Sequence, residues 1–463
     1  MGIAAASSNA RGDGAGVRRA TGAQLYSRGL MRRLLVRRSL TAVGIYSSVI
    51  LGFGATVVAT RTFHSAHRFG DYAAVMAAAA LCQSFFDLTV EEAVVKYGFR
   101  YSAAERWGRF HGLFRNALWF KLTGSLLGAL GLVVFAFLAP HRLQTALLLA
   151  AGIPLGQSLE GLAGTALYLR NRYDLRALLL AWSMGLRLVG VWIGSRHGLP
   201  EAIAGVLAAQ VLATSTIVVL GLAALRRFPA AAPEPLGDDR RSILVFIGQS
   251  SAATGVLSLR SSLAPLLLGA VTSTVQLGLF RVAQAPQSGF QSLSAPARMV
   301  LLTEQTRDWE HGRESAVLRG VRRYTAAAFV LSLLIVPPLF IFLPQIIRWI
   351  NGPEYVGAAN AARVFTLAAG LQLVYGWTKS FPVTIGRPGL RVLTHGVETL
   401  VVLPLVALFG LAWGATGAAV AVLAGVAVFA AMWTVIFLRV RPSDVHHPPP
   451  AEEEAYETGA LVG

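Results

Sequence analysis

The chain has 463 residues, 54% of them apolar and 14% charged, with a mean hydropathy of +0.57. A soluble domain is about 45–50% apolar and about 25% charged, so these figures exclude a water-soluble enzyme, a disordered chain and a disulfide scaffold. The net charge of +18 sits on a hydrophobic chain, where it reads as basic loops at a membrane surface rather than as a nucleic-acid footprint. A single cysteine, Cys82, and nine scattered histidines offer no disulfide framework and no ligand cluster, so neither metal nor cofactor is expected.

In chain order, residues 1–39 read as a disordered stretch of Ala, Gly, Ser and Arg followed by a basic amphipathic turn. In that turn Leu30, Met31, Leu34 and Leu35 alternate with Arg28, Arg32, Arg33, Arg37 and Arg38, a pattern that rests on anionic headgroups. No cleavable leader is expected, because the apolar stretch starting near Leu40 continues into a full span. About twelve apolar runs then follow, each long enough to cross a bilayer core as helix. They are predicted near 40–62, 71–95, 112–138, 143–168, 175–195, 201–225, 243–269, 275–302, 324–347, 360–382, 389–410 and 413–438. Every second loop is basic, which predicts a multi-pass protein of the cytoplasmic membrane with both termini inside.

The longest polar interruption after the N-terminus holds FPAAAPEPLGDD and divides six spans from six. The expected organisation is therefore a lobe over 40–225, a cytoplasmic linker over 226–242, a second lobe over 243–438 and a disordered tail over 439–463. The halves are weakly alike. Phe69-Gly70-Asp71-Tyr72 opens the second span and Leu277-Gly278-Leu279-Phe280 the eighth, about 210 residues later. An even number of spans per half makes such repeats parallel. The predicted fold is an all-α polytopic membrane protein, with two six-helix lobes around a central cavity.

Ionisable groups at membrane depth cost roughly 2.5–3.5 kcal/mol each on insertion scales, so they face a cavity or a partner. Gln83, Asp87 and Glu91 share one helical face. Lys121, Glu160, Arg187, Arg260, Lys379 and Glu398 lie in other spans, with His395 beside the last. In the eighth span Arg281, Gln284, Ser288, Gln291, Ser294 and Arg298 recur at three- or four-residue spacing, and a lipid-facing row of that kind is untenable. Guanidinium groups match phosphate oxygens bidentately and stay charged at cellular pH. The favoured cargo is anionic, a diphosphate suits it, and the amides can bond sugar hydroxyls. The acids Asp87, Glu91, Glu160 and Glu398 have two open roles: balancing basic groups, or coupling transport to an ion gradient. Motifs for a nucleotide loop, a serine hydrolase or a zinc protease are missing from the sequence.

Several segments resemble one family. FGDYAAVMAAAALCQSFFDLTVEEAVVKYG, LGLFRVAQ, RWINGPEYVGAANAARVF and GATGAAVAVLAGVAVF, taken in order, are similar to the O-antigen-type polysaccharide flippases of the multidrug/oligosaccharidyl-lipid/polysaccharide exporter superfamily. The resemblance implies a flippase, not an enzyme, that moves a polyprenyl-diphosphate-linked oligosaccharide by alternating access. It also implies membrane lipids and a polysaccharide polymerase or glycosyltransferases as partners, and no nucleic acid. Matched by role and helix, the expected substrate-binding residues are Arg187, Arg260, Arg281, Gln284, Gln291, Lys121 and Lys379. The alternatives are an ion-coupled small-molecule exporter of the same superfamily, a membrane glycosyltransferase using Asp71, and a scaffold for polysaccharide assembly.

Overall fold

The computed structural model describes residues 13–86, 90–292, 305, 308–309, 313–385, 387 and 389–439, the side chains only in part before residue 39. The expected C-terminal tail lies outside the described residues, apart from Arg439. The described residues are helical, without a strand. The first half contains α1 (Asp13–Phe63), α2 (Ala66–Phe86), α3 (Val90–Ala103), α4 (Trp107–Leu138), α5 (His141–Ala150), α6 (Gly152–Leu169), α7 (Tyr173–Gly194) and α8 (Leu199–Leu225). The second contains α9 (Asp239–Val271), α10 (Thr274–Ala283), α11 (Glu314–Ile350), α12 (Ala359–Val374), α13 (Phe381–Thr384) and α14 (Gly389–Arg439). Two 3-10 turns, Pro353–Ala358 and Gly376–Lys379, flank α12.

Seven helical stretches among the described residues are long and apolar enough to cross a membrane. One of them, the 51-residue α14, is two helices. Trp413 leaves helical geometry and Gly414 has φ +58°, a left-handed conformation in which glycine avoids the Cβ clash. There the chain reverses, and the Ala415 N–H donates to Gln276 Oε1 at 2.8 Å. Passes through α2, α9, α10 and α12 are shorter in apolar length or richer in polar groups, and with them the chain makes about twelve passes. The fourth pass, predicted as one helix, is the stacked pair α5 and α6, interrupted at Ala151 just before Pro154. A proline in the first turn of α6 is tolerated because its missing N–H has no intrahelical acceptor.

Within a membrane, helices associate through close packing rather than through hydrophobic gain. In the first lobe α1 packs on α7, α7 on α8, and α6 on both α4 and α8. In the second, α9 packs on α14, and α12 on both α11 and α14. Small residues fill these seams: Ala361, Ala362, Ala418, Ala419 and Ala421 are fully buried. Outward faces carry Leu126, Leu127, Leu130 and Leu138 on α4, and Phe329, Val330, Leu333 and Leu334 on α11, all exposed. A protein in water hides such faces, so here they meet acyl chains.

The connections after α3, α6 and α8 and that before α14 define a basic end, carrying Arg100, Arg106, Arg170, Arg172, Arg226, Arg227 and Arg387. At the opposite, far end the two lobes lock together. Gly70 on α2 and Gly278 on α10 are the repeat-related glycines, and each sits against the other helix's backbone. A Cβ at Gly278 would meet Ala66 O at 2.6 Å, and a Cβ at Gly70 would overlap Thr274 O. Ala66–Gly70 on one helix and Thr274–Gly278 on the other thus form a two-fold-like crossing, four residues apart on each side. Around it the Arg61 guanidinium donates to the carbonyls of Ile350 (2.8 Å) and Trp349. Asn351 Nδ2 donates to Thr60 Oγ1 at 3.1 Å. The Tyr355 hydroxyl lies 3.3 Å from the carbonyls of both Thr60 and Ser65, and its ring meets Phe69 edge-on.

Candidate functional site: a cavity between the lobes

Beneath the far-end lock lies a cavity of about 830 Å³. Walls come from α1, α2, α6 and α7 of the first lobe, and from α10 with its continuation, α11 and α12 of the second. Most of the lining is apolar, and the polar groups are few: Arg187, Arg281, Gln83, Gln157, Gln284 and Asn351 carry the amide and guanidinium chemistry. No carboxylate lines the cavity among the described residues.

Each arginine comes from a different lobe. Arg187 lies near the middle of α7 and shares the cavity wall with Tyr72 of α2. Arg281 lies in the last turn of α10, whose start is capped by Ser273 Oγ accepting from the Gln276 N–H. Its Nη1 donates to Gln284 Oε1 at 3.3 Å. Neither arginine forms an ion pair among the described residues, although a guanidinium at membrane depth requires solvation or an anion. Gln157 Oε1 is buried without a hydrogen-bond partner, an acceptor left for water or for a hydroxyl in the cavity.

The other predicted residues are placed differently. Lys121 Nζ sits 2.6 Å from Glu91 Oε1, its side chain 1% exposed, so this pair stays within the first lobe. Arg260 is ion-paired with Glu398, whose other oxygen lies 3.0 Å from His395 Nδ1. Glu160 lies 3.4 Å from Arg176 and accepts from Gln210 Nε2 at 2.8 Å. These three clusters join helices inside a lobe, and none of their members lines the cavity. Gln291 reaches Gln372 of α12 at 3.4 Å, beside Gln287 at 3.0 Å, and so binds the continuation of α10 to its neighbour. Lys379 is exposed on the 3-10 turn Gly376–Lys379, away from the cavity lining. Asp87, Ser294 and Arg298 lie outside the described residues. Asp71 is held by Arg142 at 3.4 Å and His67 at 3.5 Å.

Two lining residues, Tyr72 and Asn351, were not singled out as site residues from sequence. Each lies inside a motif, Tyr72 in FGDY and Asn351 in RWINGPEY, but a lone polar residue beside a turn gives no signal of facing a cavity.

The fold has solved relatives. The lipid II flippase MurJ in an inward closed conformation superposes with a TM-score of 0.66 at 15% identity, covering 86% of this chain and 89% of that one. An inward-facing multidrug resistance MATE family transporter of the MOP superfamily gives 0.60 at 13% identity, covering 87% and 97%. A MOP superfamily transporter from Pyrococcus furiosus gives 0.55 at 14% identity, covering 87% and 94%. These likenesses show the fold: helical lobes of the MOP transporter type. No curated protein matches the chain. The sequence profile of one family does match, over residues 38–302, more than half of the chain, and the protein belongs to the polysaccharide biosynthesis protein family.

Proposed function

We propose that the protein is a flippase that carries a polyprenyl-diphosphate-linked oligosaccharide across the cytoplasmic membrane by alternating access, for synthesis of a cell-surface polysaccharide. The carrying observation is the pair Arg187 and Arg281: one guanidinium from each lobe, both without a carboxylate partner among the described residues, lining one cavity. A diphosphate is the ligand that two such forks neutralise together. The amides of Gln83, Gln157 and Gln284 then serve sugar hydroxyls, and the apolar wall tolerates the first carriers of the lipid chain. About 830 Å³ lies within the usual range of ligand cavities, about 300–1,000 Å³.

In this reading the basic end faces the cytoplasm, the locked far end faces outward, and the cycle opens the glycine crossing while closing the lobes below it. Lys121 and Arg260, neutralised by Glu91 and Glu398, hold helices together inside their lobes and do not meet the cargo. Glu91, Glu160 and Glu398 balance basic residues inside the lobes, since each already holds a cation or a buried amide. Polymerases and glycosyltransferases of the same pathway are the partners this function calls for.

The test is translocation of a lipid-linked glycan by purified protein in vesicles, together with surface polysaccharide in cells. Arg187→Ala and Arg281→Ala, with expression verified, should each abolish both. Normal translocation in both variants overturns the assignment. A second reading, an ion-coupled exporter of small molecules, is favoured by the largely apolar cavity wall and by the fold shared with multidrug transporters. It predicts efflux of a lipophilic compound that survives Arg281→Ala.

A further inference from the structure

A second cavity, of about 430 Å³, lies at the basic end, outside the central chamber. Its floor is apolar: Val90, Val94, Leu113 and Ile247 belong to it, and Phe120 and Leu244 stand at its rim, both partly exposed. Arg115 and Asn116 of α4 and Arg240 of α9 supply its polar groups. We propose that this cavity binds one anionic phospholipid of the surrounding bilayer, its phosphate between Arg115 and Arg240 and an acyl chain along the apolar floor.

Three observations carry the assignment. First, the charge is uncompensated. Of the neighbouring acids, Asp239 is already occupied by Arg109 at 3.4 Å, Arg100 at 3.8 Å and the Tyr101 hydroxyl at 2.9 Å, and Glu234 and Asp238, which flank the lining segment, pair with neither Arg115 nor Arg240 among the described residues. Arg115 and Arg240 have no ion pair among the described residues, so a phosphate finds two free guanidinium forks. Second, the cavity is at the right depth. Trp119, one turn beyond Arg115, is 65% exposed among apolar outward residues, which is where tryptophan marks a membrane–water boundary. One turn beyond Arg240, Leu244 and Val245 are likewise exposed. Third, the chemistry is amphiphilic, with cations above a hydrocarbon slot, and Asn116 is the one amide. That polar set matches a phosphate ester and leaves little for a glycan, which favours a bulk lipid over a sugar-bearing cargo.

The position has a mechanical consequence. Arg115 stands on the first lobe and Arg240 on the first helix of the second, so a bound lipid ties the lobes together at the basic end. This does not depend on what the central cavity transports.

The experiment uses the full chain in nanodiscs of mixed phosphatidylglycerol and phosphatidylcholine, with retained lipid counted by native mass spectrometry. Wild type should keep phosphatidylglycerol selectively, and Arg115→Gln with Arg240→Gln should reduce that retention by about tenfold or more. Arg348→Gln, an exposed arginine at the far end, should leave it unchanged. Undiminished retention in the double variant, or equal loss in the Arg348 control, overturns the proposal. Displacement of phosphatidylglycerol by equimolar farnesyl diphosphate also overturns it, because the site would then belong to a prenyl cargo. Should the double variant fail to fold, photoreactive phosphatidylglycerol on the wild type decides. Adducts within 113–120 or 235–247 support the site, and their absence there with adducts elsewhere refutes it.

Discussion

At the scale of single residues, the distinction that matters is between cations with a carboxylate and cations without one. Lys121, Arg260 and Arg176 are matched inside the lobes by Glu91, Glu398 and Glu160. Removing one member of a buried pair strands the other, at a cost of about 3–5 kcal/mol. Glu398→Gln should therefore lower the thermal midpoint in detergent sharply, whereas Arg260→Met with Glu398→Leu should recover most of it. Arg281 is the opposite case. Arg281→Ala should leave the thermal midpoint nearly unchanged and abolish transport, and Arg281→Lys should restore transport only partly, because an ammonium lacks the planar fork. Tyr101, at the basic end, gives a pH signature. Burial, and then its hydrogen bond to Asp239, push its phenol up from 10.0 to about 12. The folded state thus holds the proton more tightly than the unfolded one. Its contribution is complete below pH 10 and fades as pH rises to about 12. The ultraviolet titration of wild type minus that of Tyr101→Phe should show one phenol ionising near pH 12, and the substitution should cost about 1 kcal/mol.

Among elements, the crossing of α2 and α10 carries the conformational argument. Backbones approach this closely only where both helices present glycine, and Gly70 and Gly278 provide it symmetrically. Gly278→Val forces α10 away from Ala66 O and so opens the far end. In a Cys82→Ser background, Thr60→Cys should react faster with a membrane-impermeant maleimide once Gly278→Val is added. Unchanged labelling would mean that the crossing is not the seal. The break at Gly414 works on the same scale. A side chain there suffers a strained φ and meets the Gln276 amide, so Gly414→Ala should destabilise the α14 turn and its link to α10.

On the scale of the whole molecule, the lobes are two bodies joined at the far end by the crossing and the Arg61, Asn351 and Tyr355 hydrogen bonds. At the basic end the described contacts between them run through α9 and the linker. Asn351 Nδ2 and Thr60 Oγ1 are 3.1 Å apart, so Thr60→Cys with Asn351→Cys places two thiols across the seal. Oxidation of that pair should halt glycan translocation, and reduction should restore it. Transport that continues through the oxidised pair would contradict alternating access.

The amino-acid sequence by itself determined the class of fold, because the bilayer sets one dominant rule: about 20 apolar residues per pass, with every backbone group paired within the helix. That rule acts locally and is visible in composition, run length and the division into halves. Gly70 and Gly278 were legible as a repeat for the same reason. Which polar residues meet across the lobes was decided only by the tertiary structure. Arg187 and Arg260 are indistinguishable in sequence, each a lone arginine in an apolar run. Rotation of α9 toward α14 gives Arg260 a carboxylate, while rotation of α7 toward α2 turns Arg187 to the cavity wall it shares with Tyr72. Helix rotation is fixed by small-residue packing with distant segments, and that information does not reside near either arginine.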